Sequence, residues 1–476
     1  LRGVGSETTN MSRLRRWETM TRTSKIILRL LCGFAVCIAI AVAAFVVWRV
    51  NLAHDVNAKL EAIRATGLPT NGKELNNYYP AVPDNENAAL VMTQAFAFMA
   101  NYPDERSNAV SKFVMPACSQ PLTSEQKELL AGYVELNRVA IQTAMQGLLR
   151  PKCRYPIDMS PGFATLLPHL SHLKNLAQTI SLEGMLAIED NKPKEAIQSI
   201  GTILQLSKTL ENEPLLISKL ICFRMDKMAK LTLERCLNAG QLNEENLASL
   251  NQALQGWEGT NRLVQAMVGE QAAAIPLFHM NFAQFSRFAE SEDADIRNIH
   301  DGPGAVPITF LMRTSGFFQR DLRFYLAVME ANINLSKISP PNNLAITNVW
   351  NDAMTEIKRR HLMMSGILLP ALDRAYFKNA ESIATIRVSR VALAVEQFRL
   401  LQHRLPLTLD ELQILTSTET RTDPFDGLPL RYKRLEKGYV IYSVSSDGHD
   451  DGGREKPADW KSSDKTTYDI TFIVER

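Results

Sequence analysis

The chain has 476 residues, with 53 Lys and Arg against 51 Asp and Glu, a net charge of +2. That balance excludes a basic footprint for nucleic acid, and 45% hydrophobic with 22% charged residues excludes wholesale disorder. Six cysteines over this length exclude a miniprotein built on disulfides and supply no closely spaced pairs for zinc.

Leu30 to Trp48 is an uncharged run between Arg29 and Arg49, extended inward by Ile26, Ile27 and Leu28. A helix of that length covers roughly 30 Å, the hydrocarbon thickness of a bilayer, so residues 26–48 are expected to span a membrane. Arg2, Arg13, Arg15, Arg16, Arg22, Lys25 and Arg29 lie before it against Glu7 and Glu18. After it, Arg49, Lys59 and Arg64 face Asp55 and Glu61. The positive-inside bias makes residues 1–25 a cytoplasmic basic tail and exports the rest. Ala41-Val42-Ala43 resembles a signal cleavage site, but the apolar run continues through Phe45, Val46, Val47 and Trp48. That length favours an uncleaved anchor. The chain opens on Leu1, and a start at Met11 or Met20 keeps the same topology.

Residues 49–385 read as a multi-helix domain. Asp55–Thr66 is expected to stop at Gly67, and Asp84 to cap a helix from Asn85 to about Ala100. Thr123-x-x-Gln126 is a capping-box start for a helix through Leu149, ended by Pro151. Residues 163–190 and 193–210 form a helical pair, with Pro193 opening the second member. Pro214–Leu237 follows, and Asn243-x-x-Asn246 opens another helix through Leu254. Residues 286–305 are a polar break, followed by helical stretches over 306–335 and 344–403, with Pro370 interrupting the second.

Beyond Pro406 the pattern turns to α+β. Thr408-x-x-Glu411 opens a short helix over Leu409–Leu415, and Leu430–Leu435 and Tyr439–Val444 flank Glu436-Lys437-Gly438 as a hairpin. Tyr468–Val474 offers a third strand. The fold class is therefore mainly α with a small C-terminal α+β domain: a transmembrane helix, a multi-helix exported region, and a hairpin or three-stranded sheet packed on a helix.

Residues 386–476 carry an ordered set of motifs: Ala392-Leu-Ala-Val-Glu-Gln-Phe-Arg, Leu405-Pro406, Thr408-Leu-Asp-Glu-Leu412, Asp423-Pro-Phe-Asp-Gly427, Gly438-Tyr439, Asp447-Gly448 and Asp450-Asp-Gly-Gly453. This order resembles the soluble domain of type II secretion major pseudopilins. The resemblance implies a helix, a turn, a β-hairpin and a calcium-binding Asp/Gly loop. The pseudopilin processing site is missing, because Gly33-Phe34 is followed by Ala35-Val36-Cys37-Ile38 without a glutamate. The front of the chain, Arg64-Ala-Thr-Gly-Leu-Pro69 and Pro83-x-x-Glu86-Asn87-Ala88-Ala89, is similar to large single-pass bacterial envelope proteins without an established activity. With the positive-inside bias, that likeness implies an anchor in the bacterial inner membrane and a periplasmic location for the bulk of the chain.

Candidate chemistry is sparse. Asp447, Asp450, Asp451 and Asp459, with Ser443 and Ser446, offer hard oxygen donors around flexible glycines, a donor set suited to a structural Ca²⁺. A solvated acidic turn explains the same residues. Asp423-Pro424-Phe425-Asp426-Gly427 reads as a turn with Phe425 packed beneath it. His169-x-x-His172 has helical spacing for zinc but lacks a third ligand nearby, and reads as packing. Cys118 and Cys153 could pair in an oxidising compartment, whereas Cys222 and Cys236 lie too far apart on one helix. No residue stands out as a nucleophile, so the chain is expected to act as an envelope scaffold or interaction protein with protein partners and the lipid bilayer. The alternative is a small-ligand receptor or hydrolase with a pocket among the helices.

Overall fold

The computed structural model describes residues 22–118, 120–240, 242–254, 256–258, 262–279, 314–457 and 466–476. Helix α1, Arg22–Ala65, is one continuous rod. At about 1.5 Å per residue it runs some 66 Å, twice a bilayer core. Its outer part was expected as a separate helix, but nothing between Trp48 and Asp55 breaks the backbone ladder. Gly67, at φ +78°, follows its end. Within α1 lies a stretch long and apolar enough to cross a membrane, with none of it buried in the protein.

Then come α2 (Gly72–Tyr78) and α3 (Ala88–Ala97). Asn87, not Asp84, caps α3, its side-chain oxygen accepting the Ala89 N–H at 3.1 Å. After α4 (Arg106–Ser111), the expected helix through Leu149 divides into α5 (Ser124–Leu136) and α6 (Arg138–Gly147). The capping box of Thr123 and Gln126 starts α5 as expected. The break falls at Asn137, a buried side chain that takes the Ala100 N–H and donates to the Ala100 carbonyl at 2.9 and 3.0 Å. A distant backbone pairing thus outweighs local helical continuity.

Helices α7 (Pro168–Glu189) and α8 (Pro193–Lys208) form the expected pair, each with proline in its first turn. They pack with α9 (Leu216–Asn238), while the capping box of Asn243 and Asn246 opens α10 (Glu244–Ala253). Next are α11 (Arg262–Ala274) and α12 (Phe317–Ser336). Gly269 lets α11 press on the turn before α9, where a Cβ would lie 1.5 Å from the Pro214 carbonyl oxygen. The polar break at 286–305 lies outside the described residues. The stretch 344–403 resolves into α13 (Ile346–Arg360), α14 (Met363–Leu368) and α15 (Pro370–Gln402). Pro370 opens α15, and left-handed His361 (φ +53°) ends α13. The short helix expected at 409–415 is only a 3-10 turn, Leu409–Leu412.

Strands β1 (Arg431–Leu435), β2 (Gly438–Ser443) and β3 (Ile470–Glu475) form an antiparallel sheet in that order. Helix α9 closes the outer edge of β3. Glu234 accepts the Ile473 N–H at 2.6 Å, and Asn238 both donates to the Ile473 carbonyl and accepts the Glu475 N–H at 2.8 Å. Two helix side chains thereby satisfy a strand edge that would otherwise invite pairing.

Two main hydrophobic cores result. The first joins α3 and α5–α10 to the second half of α15, and continues through Leu430, Tyr439, Ile441, Phe472 and Val474 of the tail. The core therefore runs across residue 385. The second gathers α11–α14 and the start of α15 around Val56 and Leu60 of α1. Asp226 of α9, fully buried, ties both together. Its carboxylate accepts from Ser207 (3.1 Å), Trp257 Nε1 (2.9 Å), Arg262 (2.6 Å) and Ser382 (2.9 Å). Removing one partner of a buried charged pair costs about 3–5 kcal/mol. Asp226→Ala is therefore expected to lose that much in urea unfolding of the detergent-solubilised chain. A loss under about 1 kcal/mol, the scale of an exposed pair, would contradict this role.

Candidate functional site

A cleft of about 650 Å³ opens beside the start of α7. His169 and His172 lie three residues apart, so both project from one side of that helix. Each ring stacks on an aromatic from another segment, His169 on Tyr155 (centroids 4.4 Å) and His172 on Phe96 of α3 (5.3 Å). Phe96 and Tyr155 stack in turn at 6.4 Å. The four rings make a continuous wall, lined further by Thr93, Ile157, Pro161, Ala164 and Leu166. His169 is buried, whereas His172 is exposed and packs through its stack on Phe96; both line the cleft, which the helical spacing did not indicate.

Behind the wall sits a polar network. His169 is buried, and its Nε2 lies 3.0 and 3.2 Å from the Glu213 carboxylate oxygens. Glu213, fully buried in the turn between α8 and α9, also accepts the Ser218 hydroxyl. Because a carboxylate only accepts, it calls for an N–H on Nε2; in the neutral ring Nδ1 is then the acceptor. Tyr155 donates its hydroxyl to Thr209 (3.2 Å) and its backbone N–H to the Tyr79 oxygen (3.1 Å), which holds the ring in place. Lys219, one residue beyond Ser218, is wholly buried and donates to the Leu210 and Glu211 carbonyls and to Gln265 at 2.6–3.1 Å. Burial pulls its ammonium down to about 8.

Cys153 lies close to this network. Burial pushes its thiol up to about 12, away from the thiolate a nucleophile requires. Every described cysteine is free, so the possible Cys118–Cys153 bond does not form. Cys118 instead points its thiol at Glu234 (3.7 Å), beside the sheet edge. A second groove, about 500 Å³ and lined by α6, α8 and α10 with Lys208 at its rim, carries no such buried network.

The tail acids separate into individual roles. Asp447 accepts the His449 N–H (3.0 Å) and Asp450 the Gly452 N–H (2.9 Å), each closing its own turn. Asp451 accepts the Thr467 hydroxyl (3.0 Å) with one oxygen, while the other is buried without a partner. Asp459 lies outside the described residues. The structure adds Asp469, which accepts the Gly453 N–H at 2.8 Å. Burial raises its carboxyl, reinforced by Asp451 and Asp450. Among the described residues no group of three or more His, Cys, Asp or Glu side chains is arranged to hold a metal ion. Asp469 precedes a strand, far along the chain from the Asp/Gly run, so sequence spacing gave no sign of it.

Asp423 is the buried anchor of the expected turn, with its carboxylate taking the Phe425 and Val444 N–H groups, the Ser443 hydroxyl and Arg431 at 2.8–3.0 Å. Phe425 is only half-buried at that turn.

Compared with protein-family models, curated proteins and solved structures, the chain finds no match. The site therefore has to be interpreted from its own geometry. Since Cys153 and Cys236 are both buried with thiols near 12, iodoacetamide at mildly alkaline pH is expected to leave them unmodified until guanidinium unfolds the chain. Rapid alkylation of Cys153 in the folded protein, read by peptide mass spectrometry, would refute the environment described.

Proposed function

We propose that this chain is a single-pass protein of the bacterial inner membrane whose exported body binds a small, flat, apolar ligand carrying a hydrogen-bond donor. The observation that carries this reading is the cleft with the His169–Glu213 pair at its back and an aromatic wall along its side. Its size falls within the range of small-molecule sites, and a few fixed polar groups on an apolar lining are what such sites require. The apolar wall accepts the body of the ligand, and Nδ1 of His169 accepts its donor. The basic flank before residue 26 supports an exported body.

Titration of the detergent-solubilised chain with 2-naphthol and with naphthalene tests this. The hydroxyl analogue is expected to bind about tenfold more tightly, the worth of one hydrogen bond. Ala97→Trp, which fills the cleft mouth, should abolish binding of both. Equal affinities, or binding unaffected by Ala97→Trp, would remove the proposal.

A second reading, an envelope scaffold linked to secretion with a Ca²⁺-stabilised tail, is favoured by one observation. The unpartnered buried oxygen of Asp451 beside Asp469 and Asp450 is where a cation would relieve crowded carboxylates. Asp451 would offer that free oxygen to the ion, with water completing the shell. Ca²⁺ is then expected to raise the melting temperature of the chain relative to chelator, and Asp451→Asn to erase the difference. Identical melts with Ca²⁺ and with chelator would discard the ion.

A further inference from the structure

Helices α1 and α12 lie side by side and run in the same direction. Arg49 of α1 donates to the Thr314 carbonyl (3.0 Å) and to Gln319, Asp55 meets Arg323 (3.1 Å), and Lys59 approaches Glu330 (4.0 Å). Partners advance together along both helices. The start of α12 is therefore level with Arg49, the residue at which the apolar run ends. Gly316, at φ +77°, lies against the Arg49 guanidinium in a left-handed conformation that favours glycine.

The turn between α13 and α14 is held at the same level. Arg320 donates to the Arg360 carbonyl (2.9 Å), and Asp321 takes the N–H groups of Met364 (2.8 Å) and Ser365 (3.2 Å). Residues 320 and 321 lie only about 1.5–3 Å beyond Gln319 along the helix axis. Helix α13 thus ends beside the mouth of the stem, with Lys358, Arg359 and Arg360 exposed in its last turn. Glu356 pairs with both Arg359 (2.7 Å) and Arg360 (2.6 Å), so a cationic excess remains. Next to these charges Ile367 of α14 is 47% exposed, with Met363 and Phe317 partly so. Cations flanking exposed apolar side chains are the composition of an interfacial membrane contact.

We infer that this face, Lys358, Arg359 and Arg360 around Ile367, lies on the bilayer that holds α1 and binds the headgroups of anionic phospholipids. The inference rests on the reading that residues 26–48 span a membrane, and it adds a second lipid contact. Each Lys or Arg near an anionic surface adds to its attraction for the headgroups. Because α1 continues unbroken from the apolar run into the second core, a seated face would also set the angle of the whole body.

The full-length chain in nanodiscs tests this. Discs of phosphatidylcholine alone, or mixed with phosphatidylglycerol, carry one lipid with a diazirine in the headgroup and another with one in the acyl chain. Carbene adducts are then mapped by mass spectrometry. Headgroup adducts over 358–368 are expected to rise about fivefold in the mixed discs. The double variant Arg359→Glu/Arg360→Glu should return them to the phosphatidylcholine level, and high salt should lower the rise in the unaltered chain. Acyl-chain adducts over 30–48 should be equal in both discs. If those anchor adducts persist while 358–368 shows no lipid dependence, or shows one that survives the double variant, the proposal falls and the anchor stands. Absence of adducts over 30–48 removes both.

Discussion

The buried carboxylate of Asp226 is the constraint on which the arrangement depends. A charge without solvent is tolerated only when its lone pairs are filled, and here four side chains from α8, α11, α15 and the Trp257 turn fill them. Arg262 opens the helix that leads into the second core, and Ser382 lies on α15 where that helix passes from one core to the other. Hydrophobic burial drives both cores together but is indifferent to small rotations between them. A fully satisfied polar cluster accepts one geometry, and so fixes how the stem-bearing half meets the half that carries the cleft and the sheet.

The same rule operates at the other buried polar positions. Glu234 and Asn238 replace a missing strand beside β3, so a sheet of three strands is sealed by a helix. Glu213 orients His169 from a turn between two helices, and Asn137 divides a helix to hold Ala100 in the segment after α3. In each case a polar side chain on one element supplies hydrogen bonds to another that is distant in sequence. The cleft lies beside the start of α7 at Pro168, against rings of which His172 is exposed and Phe96, Tyr155 and His169 are buried.

Much of the local structure was legible. The apolar run, the capping box at Thr123, the helix opened by Asn243-x-x-Asn246, Pro193 at a helix start, the interruption at Pro370, the Asp423 turn and the hairpin about Lys437 all depend on neighbours within a few residues, so short-range chemistry decides them. The errors fell where a long-range hydrogen bond competed with local propensity. Asn137 looks like an ordinary helical residue until Ala100 is beside it, and α1 looks divisible until its outer half is packed on α12.

The sequence alone determined an N-terminal helix long and apolar enough for a membrane, a mainly helical body, and a short α+β tail, because periodicity and turn chemistry are local properties. Only the tertiary structure brought Phe96, Tyr155, His169 and Glu213 to one cleft, set Asp469 against Asp451, and placed Arg359 beside the mouth of the stem. These groups come from segments separated by tens to hundreds of residues. Their meeting depends on how helices pack, which no spacing along the chain encodes.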